Sequence, residues 1–152
     1  MSRIKAFRFK WTDAWGNIDS GYDSTLETSD DGKAIIRFLV NKIPYTLDLT
    51  GREEAFIEDL KFVEKWNNNS YDWWIEDGYS WNLFFTFDDI VIVTNGHNGF
   101  PPDFADFLNI LHNKYGVPKA KCEPDEKALK HKIKNTVVEK DDRLNRRAVY
   151  DF

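Results

Sequence analysis

The chain has very little cysteine, and it contains no long apolar run. Cys122 is its only cysteine, so no disulfide can form within the chain, as is usual for proteins of a reducing compartment. No stretch reaches the roughly 18 apolar residues that a membrane-spanning helix needs. The first residues, MSRIKAFRFKW, lack the apolar segment of a secretory signal. We therefore expect a cytoplasmic protein that does not enter a membrane.

Sequence signatures of metal sites and of common enzyme families are also missing. The chain has no HExxH pair, no EF-hand spacing, no Cys–His ligand set, no P-loop lysine and no GxSxG elbow. We expect no metal and no cofactor. Five acids lie close together in sequence and are candidates for a divalent cation or for acid–base roles, but turn chemistry explains them more simply: Asp72, Glu76, Asp77, Asp88 and Asp89.

Charge is distributed unevenly along the chain. Residues 1–120 carry twelve Lys or Arg against nineteen Asp or Glu, whereas residues 121–152 carry nine against seven. An acidic body disfavours non-specific nucleic-acid binding, which needs a basic face. It is compatible with electrostatic attraction to a basic protein. The expected partner is therefore another protein with a basic surface, and direct nucleic-acid binding is not expected.

Alternating hydrophobicity predicts four strands and a helix in the first half of the chain. Thr50 is the expected N-cap of the helix, and Glu53 is expected to complete a capping box. Asn67 to Ser70 is expected to end the helix in a loop. The four predicted strands cover residues 3–12, 22–28, 34–40 and 45–50, and the helix covers residues 52–66.

The second half predicts a hairpin, a second helix and a basic tail. Pro101 and Pro102 preset the backbone for a helix that continues to Tyr115, with Gly116 as its C-terminal cap. The hairpin strands cover residues 81–87 and 90–94, and a loop at 95–99 follows, in which glycines are expected only to turn the chain. In the tail we expect a helix at 123–131 and either a last strand or a docking tail near 148–152.

These elements predict an α+β fold. Short connections favour a mainly antiparallel sheet of about six strands, with two main helices packed on one face. Residues 1–118 are expected to form one domain, and residues 119–152 a C-terminal helical and basic extension docked on it.

His97 is the residue most suggestive of catalysis, since it lies between a strand and a helix. Catalysis would require an orienting carboxylate, with Asp72, Asp77 or Asp89 as candidates, and a nucleophile. An ordinary loop histidine is the simpler interpretation.

The residues most suggestive of binding form an aromatic and acidic group around positions 66–79. Aromatic residues make up 16% of the chain, and most are expected in the core. Adjacent Trp73 and Trp74 cannot both point inward from an extended backbone, so one indole is expected at the surface, surrounded by acids. The candidate binding residues are Trp66, Tyr71, Asp72, Trp73, Trp74, Glu76, Asp77 and Tyr79.

One ordered series of residues resembles a motif of small bacterial domains, some of which are immunity proteins that neutralise polymorphic toxins. The resemblance covers about residues 56–111, and the chain after Gly116 departs from it. It implies a non-enzymatic inhibitor that binds another protein. The motif residues here are Tyr71-Asp72, Asp77-Gly78, Trp81, Leu83, Gly96, Asn98, Phe100-Pro101, Phe104 and Phe107-Leu108.

Three functional hypotheses follow from the sequence. The first is an inhibitor of immunity or anti-defence type that blocks a toxin or a nucleic-acid-acting enzyme through an acidic, aromatic surface. The second is a small hydrolase that uses His97 with a nearby carboxylate. The third is a structural or scaffold subunit that forms a homodimer through an exposed strand edge.

Overall fold

Eight strands form one mixed sheet in the computed structural model, which describes residues 2–29, 31–74 and 78–144. Neighbouring strands run antiparallel except for one parallel pair, β5 with β7. Across the sheet the strands lie in the order β4-β3-β2-β1-β6-β7-β5-β8. The strands are β1 (Ile4–Thr12), β2 (Tyr22–Thr28), β3 (Ala34–Val40), β4 (Ile43–Asp48), β5 (Asn69–Asp72), β6 (Ser80–Phe87), β7 (Ile90–His97) and β8 (Val137–Lys140).

Helices cover one face of this sheet. Apolar residues of α1 (Glu53–Leu60) and α2 (Phe104–Asn109) are buried against alternate residues of the central strands. A 3-10 helix (Lys61–Trp66) extends α1, and a π-helix (Ile110–Lys114) extends α2. The shared core includes Phe7, Phe9, Trp11, Phe56, Leu60, Trp81, Phe85, Phe104 and Phe107. The α+β class is therefore as predicted.

The C-terminal part of the described chain belongs to the same core and sheet. Asp125 caps α3 (Glu126–Lys134) by accepting a hydrogen bond from the Ala128 N–H at 2.7 Å. Leu129 of α3 is buried in the core, and β8 pairs with β5. The strand expected near residues 148–152 lies outside the described residues.

Two short strands escape prediction, so the sheet is larger and more mixed than expected. β5 and β8 have four residues each, and β5 occupies the Asn69–Ser70 segment expected to be a loop. In a segment of only four residues, an alternation of apolar and polar side chains cannot be distinguished from the surrounding sequence. β5 is a strand because its backbone pairs with β7 and β8, and the local sequence does not predict this pairing.

The expected capping box at α1 is wrong. Arg52 is the N-cap residue, and no side chain accepts a hydrogen bond from the first turn. The Glu53 carboxylate instead accepts the Ile4 N–H at 3.0 Å and is buried at the start of β1. A tertiary hydrogen bond to an otherwise unpaired buried N–H is more valuable than a local cap, because an unsatisfied buried donor is costly.

β7 also continues further than predicted, through Gly96 to His97. Gly96 does not turn the chain; it pairs with Trp81 on one side and with Tyr71 on the other. A Cβ at this position would approach Trp81 Nε1 to 2.2 Å, so glycine is needed for packing. Gly116, in contrast, follows α2 and its extension with φ of 74°, which fits the predicted C-terminal cap.

Among the described residues, no helix combines the length and the apolar character required to cross a membrane.

Candidate functional site

Three neighbouring strands end side by side. Thr12 of β1 pairs with Ser80 of β6, and Ser80 pairs with His97 of β7. The three residues therefore span roughly 10 Å across the sheet. Because Trp11 and Trp81 point into the core, their neighbours Thr12 and Ser80 point to the opposite face. We call this end of the sheet the tryptophan end.

Trp74 lies on His97 at the tryptophan end. The centroids of the indole and imidazole rings are 5.1 Å apart, with 32° between their planes. The imidazole is itself fixed, since its Nδ1 lies 3.0 Å from Ser80 Oγ. Even so, 72% of Trp74 remains exposed. The ring is therefore both held in position and accessible.

Trp73 points the other way, as alternation along an extended chain requires. Its ring packs edge-on to the His131 ring at 5.5 Å and beneath Lys132 Nζ at 5.6 Å. The backbone N–H of Trp73 donates to the His97 carbonyl at 2.9 Å. The charged neighbour of Trp73 on α3 is thus a cation.

Asp72 lies on β5 directly before the two tryptophans and is buried. Burial raises the pKa of its carboxyl, and the charge of Glu139 on β8 raises it further, although His97 acts in the opposite direction. A carboxyl with little exposed surface offers few contacts to a partner. Of the other predicted acids, Glu76 and Asp77 lie outside the described residues.

Two predicted binding residues belong to the core instead. Trp66 is buried, and its indole N–H donates to Asp103 Oδ1 at 2.7 Å. Tyr71 is buried with its ring stacked on Trp81 at a centroid distance of 6.2 Å. Both rings cover hydrophobic area of the core, and the two residues also form part of the wall of a groove of about 330 Å³ beside Asp103.

Trp15 is a second exposed tryptophan at the same end, and the sequence pattern does not single it out. It lies in the loop between β1 and β2 and is 88% exposed. The backbone N–H groups of Trp15 and Asn17 both donate to Asp13 Oδ1, at 2.8 and 2.9 Å respectively. The available signal is a large aromatic residue within a polar turn, where no alternation assigns it to the core.

A groove of about 360 Å³ opens beside Trp15. Tyr79, a predicted binding residue, forms part of its wall and is half-buried. The loop after β7 and the segment before β6 meet here, because Asn98 and Tyr79 exchange two hydrogen bonds of 2.9 Å. Residues that line the groove include Asp13, Trp15, Gly78, Tyr79, Asn98 and Lys132.

The hydrolase hypothesis finds one of its requirements near His97. Ser80 supplies a hydroxyl in hydrogen-bond contact with the imidazole, and Asp72 lies beside His97 on the adjacent strand. Within residues 2–29, 31–74 and 78–144, no carboxylate lies within 4.0 Å of a His97 ring nitrogen. Asp89 precedes the strand that His97 ends, so roughly 25 Å separates them. Asp77 lies outside the described residues.

No group of three or more potential metal ligands occurs in the described part of the chain. Comparisons with protein-family models, with curated proteins and with solved structures find no match to this sequence or fold.

Proposed function

We propose that this protein is a non-enzymatic binding protein that inhibits another protein, in the manner of an immunity or anti-defence protein. Its contact surface is the tryptophan end of the sheet, with Trp74 at its centre. The proposed target is a toxin or a nucleic-acid-acting enzyme with a basic surface, as the acidic charge of residues 1–120 favours.

The observation that carries this proposal is the accessibility of a fixed indole. Trp74 is largely exposed and yet stacked on an imidazole that Ser80 holds in place. An exposed tryptophan that is held rigidly supplies a large contact area at a low entropic cost on binding. Tryptophan is also among the residues that most often dominate interface energies.

A second exposed indole strengthens the proposal. Trp15 follows β1, whose last residue lies two strands from His97. Two accessible tryptophans at one end of a sheet form a surface of the kind that recognises another macromolecule. Trp73, held between His131 and Lys132, supports the base of this surface and is not expected to contact the partner.

Parallel capture with two variants tests the proposal. Wild-type protein, Trp74→Ala and Ile43→Ala are used as baits in extracts of the native host, with quantitative mass spectrometry. Ile43 is an exposed apolar residue on the edge strand β4, five strand spacings or roughly 24 Å across the sheet from His97, and serves as the matched control. A true partner is retained by wild type and Ile43→Ala and is depleted on Trp74→Ala.

Purified partner then supplies the decisive measurement. We expect Trp74→Ala to raise the dissociation constant about 30-fold, the loss typical of a central tryptophan. The wild-type protein should also inhibit the partner's enzymatic activity. Equal affinity of wild type and Trp74→Ala would contradict this location of the surface, and binding without inhibition would contradict the inhibitor role.

The contact between Ser80 and His97 favours hydrolysis as a second candidate function. A serine activated by a histidine reacts with fluorophosphonate probes, because the hydroxyl attacks the phosphorus and fluoride leaves. Labelling of the wild type that is lost in both Ser80→Ala and His97→Gln would favour the hydrolase. Absence of labelling at saturating probe would exclude an activated serine.

A further inference from the structure

The groove beside Trp15 contains a hydrogen-bond donor that no described residue satisfies. Asn98 is only 2% exposed, and its Nδ2 has no hydrogen-bond partner. The amide orientation is fixed, since Oδ1 accepts the Tyr79 N–H at 2.9 Å. Buried polar groups are nearly always paired, so an unpaired amide at the wall of a groove indicates a ligand with an acceptor oxygen.

The position of this amide is built into the fold. Asn98 has a left-handed backbone with φ of 56°, which asparagine tolerates better than most residues. Gly78 lies directly against its side chain, where a Cβ would come within 1.6 Å of Oδ1. The sequence therefore supplies both the residue that presents the amide and the glycine that leaves room for it.

Asp13 places a negatively charged hydrogen-bond acceptor on another wall of the groove. Its Oδ1 accepts two backbone N–H groups, and the Asn17 side chain also donates to the carboxylate. The Asn17 N–H lowers the pKa of this carboxyl, and the Trp15 N–H contributes in the same direction. Asp13 is therefore ionised at neutral pH, and because a carboxylate has about four acceptor sites it can accept a further hydrogen bond.

Trp15 stands beside this carboxylate with an open ring face. A planar guanidinium stacks on tryptophan and also pairs with carboxylates, which makes arginine the side chain best matched to this pair. Lys132 lines the groove as well, and its ammonium lies over the Trp73 ring. Lys132 and Asn98 together offer donors to an acceptor oxygen, such as a peptide carbonyl.

We propose that the groove binds an arginine residue of the partner protein. The guanidinium lies between the Trp15 ring and the Asp13 carboxylate, and a main-chain carbonyl of the same segment accepts from Asn98 Nδ2. This inference rests on the proposed function in taking a protein as the ligand. It assigns a distinct site, formed by residues that do not include Trp74.

Capped amino acids test the groove without any partner. Isotope-labelled protein is titrated at low salt with N-acetyl-arginine methylamide, and two-dimensional NMR follows the Trp15 indole N–H and the Asn98 side-chain amide. We expect saturable shifts of both signals with arginine and none with the corresponding glutamate derivative. The Trp15 signal is assigned from its loss in Trp15→Ala.

Asp13→Asn isolates the charge, because asparagine retains the acceptor that organises the turn. We expect it to weaken arginine binding about tenfold, as loss of a charge-assisted hydrogen bond implies. Asp19→Asn is the control, since Asp19 lies in the same loop and pairs with Lys42 instead. Absence of saturable arginine shifts, equal binding by Asp13→Asn, or glutamate shifting the same signals would overturn the assignment.

The two proposals can fail separately. Partner capture that depends on Trp74, without arginine binding, would remove the groove and keep the inhibitor surface. Arginine binding without loss of the partner on Trp74→Ala would keep the groove and remove the surface built on Trp74.

Discussion

The indole of Trp81 lies directly against the backbone of Gly96 and donates its N–H to the carbonyl of Gly99, at 2.8 Å. Both glycines pack closely against β-strand neighbours, since a Cβ on Gly99 would come within 2.6 Å of the Tyr71 carbonyl. The Gly-rich segment is thus part of the core, and it places His97 and Asn98 at the tryptophan end.

Gly96→Ala should destabilise the protein. The added methyl would force the fully buried Trp81 ring to move, and overpacking of this kind costs about 1–3 kcal/mol of unfolding free energy. Chemical denaturation measures the change. Asn82→Ala, an exposed position one residue from Trp81, should change stability by no more than about 0.5 kcal/mol. Similar values for the two variants would contradict the packing role of Gly96.

Two adjacent acids at the start of α1 should behave very differently. Glu53→Ala leaves the Ile4 N–H without its buried acceptor, and we expect a loss of about 1–3 kcal/mol in unfolding free energy. Glu54→Ala is the matched control, because Glu54 occupies the same helical turn but is exposed. If the acids acted only through the helix dipole, the two variants would lose similar small amounts.

His112 should make stability depend on pH. Burial alone would lower the pKa of His112, but hydrogen bonds to Glu123 at 2.8 Å and to the Val117 carbonyl at 2.7 Å raise it above its ordinary value. Stabilisation is therefore complete below a pH of about 6.5, the pKa of an unfolded histidine, and is lost as pH rises through the folded pKa.

Unfolding experiments across this pH range measure the effect. The wild type should lose stability as the pH rises from about 6 toward 9, and His112→Gln should flatten that dependence. His131→Gln is the control, since His131 is exposed on α3. A wild-type profile that rises with pH in this range would contradict the contribution of His112.

Trp66 and Trp74 should separate stability from binding. Trp66→Phe removes a partly buried hydrogen bond to Asp103 and leaves a cavity, so we expect a loss of about 2 kcal/mol in unfolding free energy. Trp74→Ala removes an exposed ring and should change stability by less than about 0.5 kcal/mol. Thermal unfolding followed by circular dichroism compares them, and a destabilised Trp74→Ala would indicate a packing role instead.

Long alternating segments were predictable from the sequence. Residues 22–28 and 34–40 coincide with β2 and β3, because turn residues bound each segment and alternate side chains of each are buried. β5 and β8 were not predictable, since their strand character comes from partners distant in sequence. The predicted cap of α1 was wrong for the same reason, because Glu53 binds the first strand rather than its own helix.

The candidate site was predictable only where local geometry determines it. Alternation along residues 73–74 requires opposite directions for the two indoles, and the structure shows this for Trp73 and Trp74. Composition alone does not show that Trp66 and Tyr71 are buried by α2 and β6. The groove depends on loops that meet only in three dimensions, so Trp15 and Asn98 carry no sequence signal of their joint role.

The location of β5 makes the chain prone to aggregation while it is synthesised on the ribosome. Both strands that flank β5 follow it in sequence, so a growing chain exposes both edges of Asn69–Asp72 until β7 is synthesised, and one edge until β8 follows. Unpaired edges of this kind attract other chains. Ribosome-bound intermediates that end before β8 should therefore need a chaperone, or remain short-lived, to escape aggregation.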